Sequence, residues 1–194
     1  MRQPLEERKI TVSRARFSVE YPAGFMLVAS MNPCPCGFYN HPERECVCGP
    51  GVVQRYLNRL SGPLLDRIDL HVEVTPVSLD EITSDRQAEK SNEIRKRVIL
   101  ARDAQKHRFN QDAHVYCNSG MTSKQLRQSC KIDDPGKKLL RTAIEKLGLS
   151  ARAHDSILKV SRTIADLDSS DKIQPYHLAE AIQYRSLDRQ NWAG

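Results

Sequence analysis

Apolar and polar residues alternate in the first part of the chain. In "KITVSRARFSVEYP" two short β-type runs, Ile10 to Val12 and Phe17 to Glu20, flank a polar "SRAR" tip, and the pattern predicts a hairpin with a basic end. From Phe25 to Ala29 the chain is continuously apolar, the pattern of a strand buried on both faces as in a parallel sheet, with polar Asn32 just past its end. In open α/β sheets ligands collect at that end. "VVQRYLNRL" predicts a helix stopped by "SGP", and in "LLDRIDLHVEV" the alternation of Leu70, Val72 and Val74 predicts another strand.

From about Leu79 the strand pattern ends and helical spacing takes over, so a domain boundary is expected there. In "EKSNEIRKRVILARDAQKHRF" Ile94, Val98 and Ala101 share one helical face, while Arg95, Lys96, Arg102 and Lys106 make the rest strongly basic. Such a face is ordinarily just solvated. Further helices are predicted at "TSKQLRQSC", "GKKLLRTAIEKLG", "ARAHDSILKVSRTIADL" and "PYHLAEAIQYRSLD", separated by Asp-Pro, Gly and Gln-Pro breakers. The fold class expected is therefore α/β followed by all-α. The α/β part, residues 1–79, has too few strands to be complete, which suggests a chain that begins inside a domain; residues 80–194 make a helical bundle.

Composition narrows the class without naming a function. With 39% hydrophobic and 28% charged residues, the chain is of ordinary globular type, and no apolar run is long enough to cross a bilayer. "MRQPLEERKI" lacks the features of a signal peptide, so the expected location is the reducing cytoplasm, with no membrane partner. The net charge of +6 permits an acidic partner such as nucleic acid or nucleotide phosphate.

The clearest candidate chemistry is "MNPCPCGFYNHPERECVCGPG", residues 31 to 51. Four thiolates satisfy a tetrahedral zinc, and Cys34-x-Cys36 with Cys46-x-Cys48 supplies them, Gly37 and Gly49 allowing tight turns. A structural Zn²⁺ and a set of reduced cysteines filling a loop are the two readings; a bond within a Cys-x-Cys pair would be strained, and a disulfide between pairs does not suit the cytoplasm. His41 could replace one cysteine, while Cys117 and Cys130 read as isolated thiols. Two other motifs are imitations. Gly136-Lys137 lacks the upstream glycine of a phosphate-binding P-loop, and the acidic pair at Leu79 to Ile82 is not preceded by the uninterrupted apolar strand that a magnesium-holding site needs.

The succession "RQPLEERKITVSRA", "SVEYPAGFMLVASMNPCPCG", "QRYLNRLSGPLLDRIDLHVEV", "LSARAHDSILKVSRTIADL" and "HLAEAIQYRSLDR" resembles the C-terminal portion of the bacterial magnesium-chelatase-like AAA+ ATPases of the YifB/ComM competence type. The resemblance runs in order along nearly the whole chain. It implies that residues 1–79, with the Cys-rich loop 33–49, are the C-terminal half of an AAA+ nucleotide-binding core, a partial parallel sheet with a hairpin before sensor 1. Residues 80–194 would be the helical lid. Family members carry a Lon-protease-like domain, a P-loop and a magnesium-binding acidic strand upstream of the matching region, and these 194 residues contain none of them.

On this resemblance Asn32 is the sensor-1 residue that orients water near a γ-phosphate, with an Asn-Pro turn as the plainer reading. Arg67 is the arginine finger acting in trans; the plainer reading is a salt bridge to Asp66 or Asp69. Arg152, in the first turn of a helix capped by Ser150, is the sensor-2 arginine, or else a solvated one. Arg14 and Arg16 at the hairpin tip would touch DNA phosphates, or simply face water. The cofactors implied are ATP and Mg²⁺ in the full-length protein, with structural Zn²⁺ from the cysteines. The partners implied are DNA and further copies of the protein in a hexamer, this portion alone being a monomer unable to hydrolyse ATP. The activity implied is that of a DNA-acting motor, in branch migration or unwinding during transformation and recombination. Two alternatives remain: a zinc-bearing nucleic-acid-binding module without ATPase chemistry, and an ATP-driven scaffold coupled to a chelatase or protease.

Overall fold

Of the 194 residues, the computed structural model describes 2–77, 82–83, 88–112 and 114–185, in two units that divide between Ile68 and Asp69. The boundary expected near Leu79 and the acidic pair beside it lie outside the described residues, apart from Ile82.

The first unit begins with helix α1 (Arg2–Glu7), which turns through Arg8, at φ 55°, into strand β1 (Lys9–Arg14). Strand β2 (Phe17–Pro22) pairs with it antiparallel, Ile10 opposite Tyr21, Val12 opposite Val19 and Arg14 opposite Phe17. This register puts all six side chains on one face. The other face is polar, tied by Lys9 Nζ to Glu20 Oε1 at 2.7 Å and by the hydroxyls of Ser13 and Ser18 at 3.1 Å. Ser13 and Arg14 belong to the ladder, so the tip is tighter than the four-residue "SRAR" and consists of Ala15, at φ 34°, and Arg16.

The parallel sheet expected beyond the hairpin is not formed among the described residues, where β1 and β2 make the only sheet. Met26 and Val28 are more than 80% exposed, and Val72 and Val74 are exposed as well. Apolar sequence alone does not make a strand; it needs a neighbour for its backbone hydrogen bonds, and none of the described residues supplies one. Helix α2 (Val52–Leu57) forms where expected, while "SGP", expected as a stop, opens a short helix α3 (Gly62–Leu65). Pro63 lacks the N–H that a first turn leaves unused, and so starts a helix as readily as it ends one.

In the second unit the helices are α4 (Ser91–Arg108), α5 (Ser123–Ser129), α6 (Asp134–Leu147), α7 (Ala151–Leu167) and α8 (Pro175–Gln183), with a 3₁₀ turn at Asn118–Gly120. Side-chain caps set the starts of α5, α6 and α7: Thr122 and Gln125 form a reciprocal capping box, Asp133 Oδ1 accepts the Gly136 N–H at 2.8 Å, and Ser150 Oγ accepts that of Ala153 at 3.2 Å. Gly148, at φ 62°, ends α6 in the left-handed conformation that favours glycine. The core is a cluster of fourteen buried residues centred on α7 and α8, with Ala153, Ile157, Ala165 and Leu178 at most 1% exposed. Of α4 only the C-terminal half is covered, and Phe109, just past its end, belongs to the cluster. Ala101 and Gln105 are buried, whereas Ile94 and Val98, expected on the core face, are more than 40% exposed.

A buried polar network ties this unit together. Asp166 accepts from both Nη atoms of Arg108, from Arg162 Nε at 3.0 Å and from Asn118 Nδ2 at 2.8 Å. Arg162 also donates to the carbonyls of Ser170 and Asp171. With the Asp166 side chain 1% and the Arg162 side chain 3% exposed, neither charge has water to fall back on. Asp166→Ala should therefore cost about 3–5 kcal/mol of stability in chemical denaturation followed by far-UV circular dichroism, as breaking a buried pair does. A loss below about 1 kcal/mol would show that Arg162 is satisfied by the carbonyls alone.

Candidate functional site

Residues 23 to 51 form neither helix nor strand, and within them the four cysteines bring residues 34–36 and 46–48 together. Gly37, at φ 85°, reverses the chain so that its N–H reaches Cys34 O at 3.0 Å and both thiols of the first pair face inward. Sulfur separations are 3.3 Å for Cys34 and Cys36, 3.7 Å for Cys34 and Cys46, and 3.5 Å for Cys36 and Cys46, and all four ligand atoms, Cys48 included, lie within 4.8 Å of one another. No disulfide joins them. Cys34 is fully buried and the others are half-buried. Four sulfur donors this close can share one metal ion.

His41, a possible substitute ligand on sequence grounds, serves another purpose. Its Nδ1 accepts the N–H groups of Glu43 and Arg44, both at 3.1 Å, and its ring meets Phe38 edge-on, while Arg44 lies over the other ring at 5.2 Å. The thiols themselves are unequal. The Phe38 N–H stabilises the Cys36 thiolate and, against the cost of desolvation, lowers its pKa to about 6. At Cys46 the Cys48 N–H pulls the same way, but desolvation and the neighbouring thiols push the pKa up to about 12.

Elsewhere in this unit Arg14 and Arg16 are exposed at the hairpin tip. Phe17, which no sequence motif marks, stands across from Arg14 on the same face and is 75% exposed; the period-2 alternation carried that information. Asn32 is exposed, two residues before Cys34, in the segment without strand pairing. Arg67 is 12% exposed and engaged: Nη2 pairs with Glu6 Oε2 of α1 at 2.8 Å, and Nη1 donates to Pro63 O. Nothing near Arg67 in the sequence points to Glu6.

In the second unit Arg152 is exposed in the first turn of α7, lining a cleft of about 340 Å³ with Lys159, Asp69 and Asp155. Ser156 Oγ donates to Asp69 there, and Lys159 Nζ donates to Ser119 O at 3.0 Å. Two cations and two carboxylates thus border the cleft at the start of a long helix.

The model for magnesium chelatase, subunit ChlI C-terminal, matches residues 88–185, half of the chain, and that for magnesium chelatase, subunit ChlI, matches residues 1–82. The chain belongs to the magnesium chelatase ChlI family. Among relatives, it is 44% identical over 191 residues to competence protein ComM of Haemophilus influenzae and 43% identical over 191 residues to the uncharacterized protein YifB of Escherichia coli. An uncharacterized protein of Mycobacterium bovis is 33% identical over 186 residues. The matches cover 95–97% of this chain and 36% of each relative, so this magnesium chelatase family chain spans about a third of the relatives' length. No described helix is long and apolar enough to cross a membrane.

The unequal thiols have a measurable consequence. In reduced, metal-free protein at pH 7, iodoacetamide should modify Cys36 well before Cys46, and the Cys36 rate should fall as pH drops through about 6, because the thiolate is the nucleophile. Peptide mass spectrometry that finds equal rates would contradict the inequality.

Proposed function

We propose that the chain is the sensing half of an AAA+ ATPase, the second part of its nucleotide-binding core followed by the lid, in a motor that acts on DNA. The observation that carries this reading is the 44% identity, along 97% of the chain, to a competence protein. In the longer protein ATP and Mg²⁺ would supply the phosphoryl chemistry, held by a P-loop and an acidic strand outside these residues. Asn32 then orients the attacking water. Arg67 crosses to the neighbouring subunit's γ-phosphate within a hexamer, exchanging the Glu6 carboxylate for phosphate, another anion whose paired oxygens accept hydrogen bonds from the planar guanidinium fork. Arg152 closes on the phosphates from the lid, supported by the dipole and free N–H groups at the start of α7. The apolar stretches 25–29 and 70–74 become strands when the rest of a parallel sheet lies beside them.

At the hairpin tip Arg14 and Arg16 bind phosphate by charge, and Phe17 offers a face on which a base can stack. A second reading follows from the family's name: ATP hydrolysis coupled to magnesium insertion by a chelatase partner. Stimulation of hydrolysis by DNA and not by porphyrin separates the two.

Two experiments test the proposal. These 194 residues alone should not hydrolyse ATP, and in the full-length protein Arg67→Ala should cut turnover by roughly 10³ to 10⁵ while leaving nucleotide binding largely intact. Mixing that variant with a P-loop variant should restore part of the activity, as a finger acting in trans requires; unchanged hydrolysis would make Arg67 a purely structural partner of Glu6. Separately, replacing Arg14 and Arg16 by alanine should weaken DNA binding uniformly across sequences and flatten its salt dependence. Phe17→Ala should weaken single-strand binding without altering the salt slope, by about 1–3 kcal/mol if one base stacks there. An unaltered salt slope in the double variant would remove the tip from the DNA interface.

A further inference from the structure

The structure assigns a second chemistry to the first unit: Cys34, Cys36, Cys46 and Cys48 hold one Zn²⁺ in a closed four-sulfur site that takes the place of a hydrophobic core. Four sulfurs each about 2.3 Å from one zinc lie roughly 3.8 Å apart along the edges of a tetrahedron. The separations of 3.3, 3.5 and 3.7 Å need only a slight expansion to reach that figure. A disulfide would bring one pair to about 2 Å, far inside these distances. A cluster of two or four irons would divide the sulfurs among different irons and hold those on different irons further apart, whereas these four all lie within 4.8 Å of one another.

Among single ions, an all-thiolate tetrahedral set selects Zn²⁺ over the hard cations, which prefer oxygen. All four positions are filled by protein, which leaves none for water or substrate, so the site is structural. Backbone N–H groups of Tyr39, Phe38, Cys48 and Cys36 face the sulfurs of Cys34, Cys36, Cys46 and Cys48 respectively, the outer-shell donors that orient thiolates on a metal. As each zinc–sulfur bond forms, any proton still on that sulfur leaves to solvent.

An independent observation points the same way. Among the described residues up to Ile68, only three apolar side chains are buried: Cys34, Leu57 and Leu65. Residues 23 to 51 contribute no helix or strand and bury only Cys34, so hydrophobic burial cannot hold them. Small units with too little core are fastened by metals or disulfides, and here the sulfurs are unlinked.

The test uses the whole chain, purified without chelator under reducing conditions. About one zinc per chain is expected by elemental analysis, with a thiol reagent reaching half-buried Cys117 quickly, buried Cys130 slowly and the four ligands hardly at all. Removing zinc should free four more thiols and speed amide exchange across residues 23–51, while the helices of the second unit keep their protection. Refilling with Co²⁺ should give the thiolate charge-transfer and tetrahedral ligand-field bands of a four-sulfur site, altered in Cys46→Ser. If that variant does not fold, zinc removal from the unaltered chain still decides the matter. Metal-free protein with four reactive thiols that does not take up Zn²⁺ would overturn the proposal, as would iron at one per chain. Zinc whose removal leaves exchange in residues 23–51 unchanged would refute its structural role.

Discussion

Asp166 lies near the end of α7 with its side chain 1% exposed, and a carboxylate there is tolerable only if donors replace the water it has lost. Two arginines and an asparagine do so, and each comes from a different place: Arg108 from the last turn of α4, Asn118 from the 3₁₀ turn, and Arg162 from one turn back along α7. Satisfying one buried charge therefore sets where α4 ends and where the 3₁₀ turn sits, and Arg162 carries the constraint on to the carbonyls of Ser170 and Asp171 before α8. Half-buried Cys117 and buried Cys130 differ accordingly: desolvation pushes the Cys130 thiol up to about 11 despite the nearby guanidinium groups of Arg162 and Arg108.

The first unit meets the same problem of order by other means. It has a hairpin exposed on both faces, short helices and a long irregular excursion, with very little buried carbon. Directional contacts carry the burden that burial carries elsewhere: Glu6 to Arg67, His41 to two backbone N–H groups, and sulfur to sulfur in the cysteine cluster. Such contacts specify geometry well but contribute modestly to stability unless a strong acceptor, such as a metal ion, gathers them.

Legibility in the sequence followed the range of the interactions. Helix α7 covers "ARAHDSILKVSRTIADL" in full because its cap, Ser150, and its apolar stripe are local. The hairpin was readable from alternation, and the cysteine cluster from two Cys-x-Cys pairs close enough to close a loop. Asp166 and Arg108 are 58 residues apart, and nothing in either neighbourhood announces the pair. Phe25 to Ala29 and Leu70 to Val74 show how apolar periodicity records a tendency to be covered but not what covers it. Ile94 and Val98 fail for a related reason: α4 has the right stripe, but the core reaches only its last turns. The binding residues proposed at Asn32, Arg67 and Arg152 owe their roles to family resemblance, since each is locally an ordinary polar residue.

The hairpin's dimensions give it a mechanical property. Six residues in each strand reach about 20 Å from the Lys9–Pro22 pair to the tip, at about 3.4 Å per residue. Six paired positions and a two-residue turn make a short arm. A rotation of about 10° at its base carries Arg14 and Arg16 through roughly 3.5 Å, close to the 3.4 Å that separates successive nucleotides along one strand of a duplex. An arm of this length turns a small angular change at its base into a displacement of several ångströms at its tip.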